Sequence, residues 1–236
     1  HTFDLGASGV EATAEVFADL ESRTHLATNG IRRAPRAPVE PTAIYHRGWR
    51  IGFVSITSIS NERGSFPYIN LVSYFNETAR RDFLARVRRW ASEYDLLVVG
   101  VHAGEEYVTT PAEHKAAFLR EIADAGAKIV WAHHPHVLQP WERRGDAVII
   151  HSAGNFVSAQ RRHQSPWVPA GRWAPTGDTA IYQLRLEEVD GSVAVTRVRT
   201  PLFTIYDDPV HGLVLRSFDE VLAIDHELAW RAFYMG

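Results

Sequence analysis

The sequence predicts an α/β protein with a parallel-rich sheet followed by a more antiparallel C-terminal sheet. Apolar, β-branched segments at 50–57, 95–101 and 128–131 are predicted strands, and helical segments separate them. Strand–helix–strand repeats of this kind have right-handed crossovers and parallel strands. Further along, alternation of period two over 179–186 and a turn at 190–191 predict an antiparallel hairpin.

The ends of the predicted helices have recognisable signals. Ser8 and Glu11 have the spacing of a capping box, so the first helix is predicted to begin at Ser8. Apolar residues over 79–90 recur at helical spacing and predict the second helix. Thr110 as N-cap and Gly126 as C-cap bound the third helix. These signals place one helix before the first strand and one in each of the two following connections.

The composition limits the possible classes of protein. A chain of 236 residues that is 45% hydrophobic can bury one sizeable core, so residues 1–236 are predicted to form a single domain. The formal net charge of −3 gives no indication of nucleic-acid binding. The sequence has no cysteine, which excludes thiolate metal ligands and a cysteine nucleophile. Any metal must therefore be held by histidine, carboxylate or amide side chains.

The start of the chain bears on membrane attachment. No apolar run approaches the roughly 18 residues that a membrane-spanning helix needs. The chain begins at His1, and its one methionine is Met235. We therefore expect an N-terminal portion to precede His1, and a membrane anchor is expected only there. The sequence does not predict the oligomeric state.

Histidines cluster where the predicted strands end. His102 ends one strand, and the segment 131–140 reads WAHHPHVLQP. In an extended chain, residues two apart face the same side, so His134 and His136 are predicted to converge while His133 points away. The carboxyl ends of parallel strands meet at one edge of a sheet, where ligands bind. The sequence therefore predicts a histidine rim at that edge.

The residues of this rim allow more than one chemistry. Neutral imidazole nitrogens bind borderline divalent metals such as zinc. An isolated His-x-His pair more often lines a pocket, but His102 adds a third imidazole from a neighbouring strand. Glu105 and Glu106 follow directly, and they could orient an imidazole, act as an acid or base, or only be solvated.

Four segments resemble the CapA-type family of poly-γ-glutamate capsule synthesis proteins. In order they read HTFDLGASGVEAT, VVGVHAGEEY, GAKIVWAHHPHVLQP and VIIHSAGNFV, and the resemblance extends to about residue 160. It implies the α/β/β/α sandwich of the calcineurin-like metallophosphoesterase superfamily. It also implies metal-dependent, phosphoesterase-type hydrolysis in capsule or poly-γ-glutamate synthesis, and a location in the cell envelope or outside the cytoplasm.

The same resemblance implies a set of site residues. His102, His134 and His136 are the expected ligands of divalent Mn, Fe or Zn, with two ions in a complete site and none in a vestigial one. His1 matches a histidine that protonates the leaving group, and Asp4 is expected to hold its second nitrogen. His102 and His134 complete the expected catalytic set. The carboxylate-bearing blocks of the family would precede His1, so this chain supplies only half of a two-metal site.

Other residues near the rim are expected to contact a small-molecule, phosphorylated or poly-acidic peptide substrate. They are Glu105, His133, Asn155, Arg161 and Arg162. Asn155 either contacts this ligand or only shapes a turn. The segment 161–177 mixes arginine with tryptophan, which suits an anionic substrate, or it forms only a proline-rich loop.

Two other functions remain open at this stage. A metal-independent peptide epimerase would use histidine and Asp/Glu pairs as acid and base. A non-catalytic capsule-assembly module would bind a polyanion through its arginines. Activity that survives chelation would indicate the epimerase, and salt-sensitive polymer binding by metal-free protein would indicate the module.

Overall fold

The structure, a computed structural model, describes residues 1–32, 34–160 and 173–224. Its helices are α1 (Gly6–Arg23), α2 (Glu77–Glu93), α3 (Glu113–Asp124) and α4 (Phe218–Ala223), with short 3-10 helices at Arg63–Ser65 and Ala174–Gly177. Its strands are β1 (Thr42–His46), β2 (Trp49–Thr57), β3 (Leu96–His102), β4 (Ile129–His133), β5 (Leu138–Arg144), β6 (Ala147–Ala153), β7 (Asp178–Ala180), β8 (Gln183–Val189), β9 (Ser192–Arg199), β10 (Leu202–Asp208) and β11 (Gly212–Ser217). No helix in the described residues is long and apolar enough to cross a membrane.

Six strands form the main sheet, in the order β1-β2-β3-β4-β6-β5. The central strands β2, β3, β4 and β6 run parallel, while β1 and β5 pair antiparallel at the two edges. Strands β7, β10 and β11 form an antiparallel sheet, and β8 and β9 form a hairpin. The predicted parallel-rich sheet and the antiparallel C-terminal part are both confirmed.

One face of the main sheet packs against α2 and α3. Phe83 and Trp90 of α2 and Phe118 of α3 lie in one buried cluster with Val99 and Val130 of the sheet. Burying a large apolar side chain contributes about 1.5–3 kcal/mol. The helices therefore hold β3 and β4 in place, and these strands carry the histidines at their ends.

Two predicted helix starts are wrong. Helix α1 has Leu5 as its N-cap and no side-chain cap, so Ser8 lies inside the helix and no capping box forms. Helix α3 begins at Glu113 with Ala112 as its N-cap, rather than after Thr110 as the predicted N-cap. The segment before α3 is instead tied to β5 by a side-chain hydrogen bond. Tertiary contacts here override the local propensity for a cap.

The predicted hairpin turn is confirmed, but the predicted C-cap of α3 is displaced and one predicted strand is divided. The C-cap of α3 is Ala125 rather than the predicted Gly126, and Gly126 follows it with a φ of +113°, its amide donating to the carbonyl of Ala123 at 2.9 Å. Asp190 and Gly191 both have positive φ where they join β8 to β9. The strand predicted over 179–186 is two strands, because β7 pairs with β10 whereas β8 pairs with β9. Strand β1 was not predicted.

The packing of α2 gives a first prediction. Trp90 is 0% exposed, and its indole Nε1 donates to Glu40 Oε2 at 2.8 Å. Trp90→Ala is expected to lower the free energy of unfolding by about 3–5 kcal/mol, because it opens a cavity under α2. Trp141→Ala is the matched control, since Trp141 is 38% exposed at the sheet edge. Urea unfolding measures both, and an equal loss in the two variants would contradict this packing.

Candidate functional site

The parallel register aligns three strand ends at one edge of the main sheet. Thr57 of β2 pairs with His102 of β3, and His102 pairs with His133 of β4. The ring centroids of His102 and His133 are 5.2 Å apart, and those of His102 and His134 are 4.6 Å apart. The structure therefore brings the predicted histidines to one edge.

The way in which the histidines converge differs from the prediction. Strand β4 ends at His133, and the next residues leave the extended conformation, with φ of +109° at His134 and +62° at His136. The expectation that alternation along an extended chain pairs these two side chains is therefore wrong. His133 does not point away from the rim, because its ring lies beside that of His102. A folded loop, not strand pleating, shapes this part of the site.

The backbone of His134 is strained. A residue before proline favours an extended conformation with negative φ, and His134 precedes Pro135 with a φ of +109°. Such conformations cost about 1–3 kcal/mol and concentrate at functional sites. Two contacts to the loop after β3 support the turn. The amide of Ala103 donates to the carbonyl of His133 at 3.0 Å, and the amide of Tyr107 donates to the carbonyl of Pro135 at 2.8 Å.

Glu106, His134 and His136 form a compact set of possible metal ligands. One ligand atom from each lies within 4.8 Å of the others. Glu106 Oε1 is 4.0 Å from His136 Nε2, which is too far for a hydrogen bond and leaves space for a bridging cation. These side chains line a cavity of about 180 Å³ together with His1 and His102. Within the described residues, this is the one such ligand set.

The hydrogen bonds of Asn155 determine the tautomer of His136. The amide nitrogen of Asn155 donates to the carbonyl of Thr176 at 3.0 Å, so its Oδ1 faces His136 Nδ1 at 2.8 Å. An amide oxygen can only accept, and therefore His136 carries its proton on Nδ1. The lone pair of His136 is then on Nε2, the atom nearer to Glu106. Metal-binding histidines are commonly oriented in this way.

Thr57 determines the tautomer of His102 in the same way. Its hydroxyl donates to the carbonyl of Ile59 at 2.6 Å, so its oxygen is left to accept from His102 Nδ1 at 3.1 Å. His102 therefore also keeps its lone pair on Nε2. Burial lowers the pKa of His102 to about 3, with a further contribution from the neighbouring His134. His102 is neutral at physiological pH.

The electrostatics of His134 also favour the neutral form. Burial lowers the pKa of this imidazole, the negative charge of Glu106 opposes the shift, and His136 adds to it. The imidazoles of His134 and His136 beside the carboxylate of Glu106 offer two nitrogen donors and one oxygen donor. This donor set suits the borderline ions Zn²⁺ and Fe²⁺, and its carboxylate also suits Mn²⁺.

Of the remaining predicted site residues, one lines the cavity and two lie outside the ligand set. His1 lines the cavity, and its Nδ1 lies 2.9 Å from Asp4 Oδ2, as expected from the sequence. His133 is exposed and lies outside the ligand set. Glu105 is exposed as well, and its charge reinforces the effect of burial in raising the pKa of Tyr74.

The structure describes Asn155 but not the two predicted substrate-binding arginines. Both polar atoms of the Asn155 amide are bonded to protein groups, so it acts on the site through His136. Arg161 and Arg162 lie outside the described residues, and their predicted substrate contacts stay predictions. Sequence reasoning missed Thr57, although its place at the end of the strand beside His102 could have indicated it. The sequence analysis also did not identify Glu106 as a possible metal ligand.

The tautomer of His136 can be tested by ¹⁵N NMR of the imidazole. We expect a proton on Nδ1 in the wild type and in Asn155→Asp, which keeps an oxygen acceptor. Asn155→Leu removes the acceptor, so the proton is expected to move to Nε2. A proton that stays on Nδ1 in the leucine variant would show that Asn155 does not control this imidazole.

The low pKa of His102 predicts a loss of stability in acid. An unfolded histidine binds a proton near pH 6.5, whereas His102 in the folded protein binds one only near pH 3. Between these values the unfolded state holds more protons, so stability falls as the pH falls from about 6.5 towards 3. In chelator-treated protein, His102→Gln should lose less Tm over this interval than the wild type. Parallel curves of Tm against pH would contradict the assignment.

Comparisons with known proteins agree with the resemblance in the sequence. The family described as "Bacterial capsule synthesis protein PGA_cap" matches residues 1–160. The "PGA biosynthesis protein CapA" of Bacillus subtilis (strain 168) is 35% identical over 150 residues, which cover 63% of this chain and 37% of that protein. The "Capsule biosynthesis protein CapA" of Bacillus anthracis is 38% identical over 94 residues, covering 40% and 20% of the two chains.

The matches cover only part of each relative. The aligned part of this chain spans well under half the length of either relative. A solved structure of a hypothetical protein from Thermus thermophilus matches 83% of this chain and 94% of its own, with 14% identity and a TM-score of 0.41, which is too distant to inform on function. The match over residues 1–160 covers more than half of the chain. The chain therefore belongs to the bacterial capsule synthesis protein PGA_cap family and has its metallophosphoesterase-like α/β fold.

Proposed function

We propose that this chain contributes a metal-binding site to a phosphoesterase-type hydrolase of capsule or cell-envelope polymer synthesis. The observation that carries the proposal is the ligand set of Glu106, His134 and His136, whose donor atoms lie within 4.8 Å of one another at the carboxyl edge of the sheet. The names of the two relatives support the link to the capsule and to poly-γ-glutamate. An envelope-related location follows from the same link.

Some residues of the site would bind the metal ion, and others would orient the imidazoles. Glu106, His134 and His136 would hold a divalent ion, and His102 offers a further neutral nitrogen on the same cavity. Such an ion polarises a phosphoryl oxygen and lowers the pKa of bound water. Asn155 and Thr57 keep the Nε2 lone pairs of His136 and His102 available.

His1 would transfer a proton in this cavity, which its side chain lines. Its Nδ1 is held by Asp4 at 2.9 Å, which leaves Nε2 for a ligand. A histidine held by a carboxylate at one nitrogen can donate a proton from the other. We therefore assign His1 the protonation of the leaving oxygen, with Asp4 orienting the ring. The open, polar edge suits a phosphorylated or poly-acidic peptide substrate.

The proposal predicts different effects for two adjacent glutamates. Glu106→Gln and His134→Ala remove donors, so we expect metal affinity to fall at least about tenfold and turnover of an aryl phosphate to fall with it. Glu105→Gln is the matched control for metal content, because Glu105 lies outside the ligand set. Chelator competition measures affinity, and elemental analysis gives the stoichiometry.

Three outcomes would contradict this function. Equal metal content in Glu105→Gln and Glu106→Gln would remove Glu106 from the site. Turnover that survives complete chelation would indicate metal-independent acid–base chemistry. Absence of both turnover and metal, together with salt-sensitive binding of an acidic polymer, would indicate a non-catalytic binding module.

A further inference from the structure

Lys115 of α3 is a buried cation under the site. Its side chain is 0% exposed, which is rare for lysine unless the charge is paired. Nζ donates to Gln139 Oε1 and to the carbonyl oxygen of His151, each at 2.7 Å. Both acceptors are neutral, and no described carboxylate forms an ion pair with Lys115. Because burying an ammonium group costs desolvation free energy, we expect a buried lysine of this kind to have a specific role.

The loop after β3 lies directly on this side chain. Gly104 has a φ of +116°, and a Cβ at this position would lie 3.1 Å from Lys115 Cδ and 3.2 Å from Nζ. The backbone conformation therefore favours glycine, and a Cβ here would crowd the Lys115 side chain. The loop contacts Lys115 two residues before Glu106.

Gln139 fixes the same loop on the other side of Glu106. While its Oε1 accepts from Lys115, its Nε2 donates to the carbonyl of Val108 at 2.7 Å. Lys115 thus fixes which way the Gln139 amide faces, because an ammonium can bond only to the oxygen. The two residues form a buried pair, the Lys115–Gln139 bridge, which touches the loop at Gly104 and at Val108.

We propose that Lys115 is a positioning residue, which acts through the Lys115–Gln139 bridge to hold Glu106 opposite His134 and His136. This role rests on the proposed function, because positioning Glu106 matters only if Glu106 binds a metal ion. The loop meets the histidine segment through the amide of Tyr107, which donates to the carbonyl of Pro135, and through the ring of Tyr107, which stacks on His136 at 5.9 Å. A loop released from the bridge would lose this alignment.

The chain offers a matched control, because Lys115 and Lys128 are its two lysines. Lys115→Met keeps an unbranched side chain of similar shape, one heavy atom shorter, but removes the charge and the donors. Lys128→Met makes the same change in a lysine that pairs with Asp146 at the surface. For Zn²⁺ measured by chelator competition, we expect Lys115→Met to weaken affinity by about tenfold or more and Lys128→Met to leave it unchanged.

A second variant separates loop positioning from loss of the fold. Gln139→Glu keeps an oxygen for Lys115, and even gives it a counter-charge, but cannot donate to Val108. We expect Gln139→Glu to weaken Zn²⁺ affinity, as Lys115→Met does, while the midpoint of urea unfolding stays at the wild-type value. In both variants, hydrogen exchange at the Tyr107 amide should become faster than in the wild type. This readout needs no metal.

The two lysine signals provide a readout that a merely structural lysine would not give. In protein labelled with ¹³C at lysine Cε, we expect Zn²⁺ to change the chemical shift of the Lys115 signal. We also expect this signal to titrate at a lower pH when Zn²⁺ is bound, because the ion repels the ammonium. The Lys128 signal should not move. If the wild type binds no Zn²⁺, the proposed function fails; if it binds Zn²⁺ and Lys115→Met has wild-type affinity and Tyr107 exchange, the positioning role fails.

Discussion

The parallel register of β2, β3 and β4 is the constraint on which the site depends. It sets Thr57, His102 and His133 side by side at the carboxyl ends of three strands. From that alignment follow the contact between the first two side chains and the place at which the loops after β3 and β4 begin. The buried faces of α2 and α3 maintain the register, so the hydrophobic core determines the geometry of the polar edge.

Two loops then complete what the strands begin. The loop after β3 brings Glu106, and the turn after β4 brings His134 and His136, with backbone hydrogen bonds between the two loops. The strained φ of His134 is stable only because its surroundings impose it. Hydrogen bonds from Asn155 and Thr57 orient His136 and His102, so the Nε2 lone pairs of these two imidazoles are arranged before any ion arrives. Such preorganisation is what the proposed metal site would require.

The sequence was sufficient for the sheet and for the edge at which the histidines meet. Apolar strands such as 95–101 and the crossover rule contain that information, because they depend on local pattern and chain direction. It was not sufficient for Glu106, Thr57 or Lys115, whose roles arise from contacts between segments far apart in the chain. The positive φ of His134 also runs against the preference of a residue before proline, so local rules predicted an extended segment there.

The most direct test of the site is anomalous diffraction from crystals of this protein grown with Zn²⁺. We predict an anomalous peak with Nε2 of His136, a nitrogen of His134 and an oxygen of Glu106 at roughly 2.0–2.2 Å. A peak at other side chains, or an ordered site without a peak while the protein in solution binds no Zn²⁺, would contradict the assignment of these residues as a metal site.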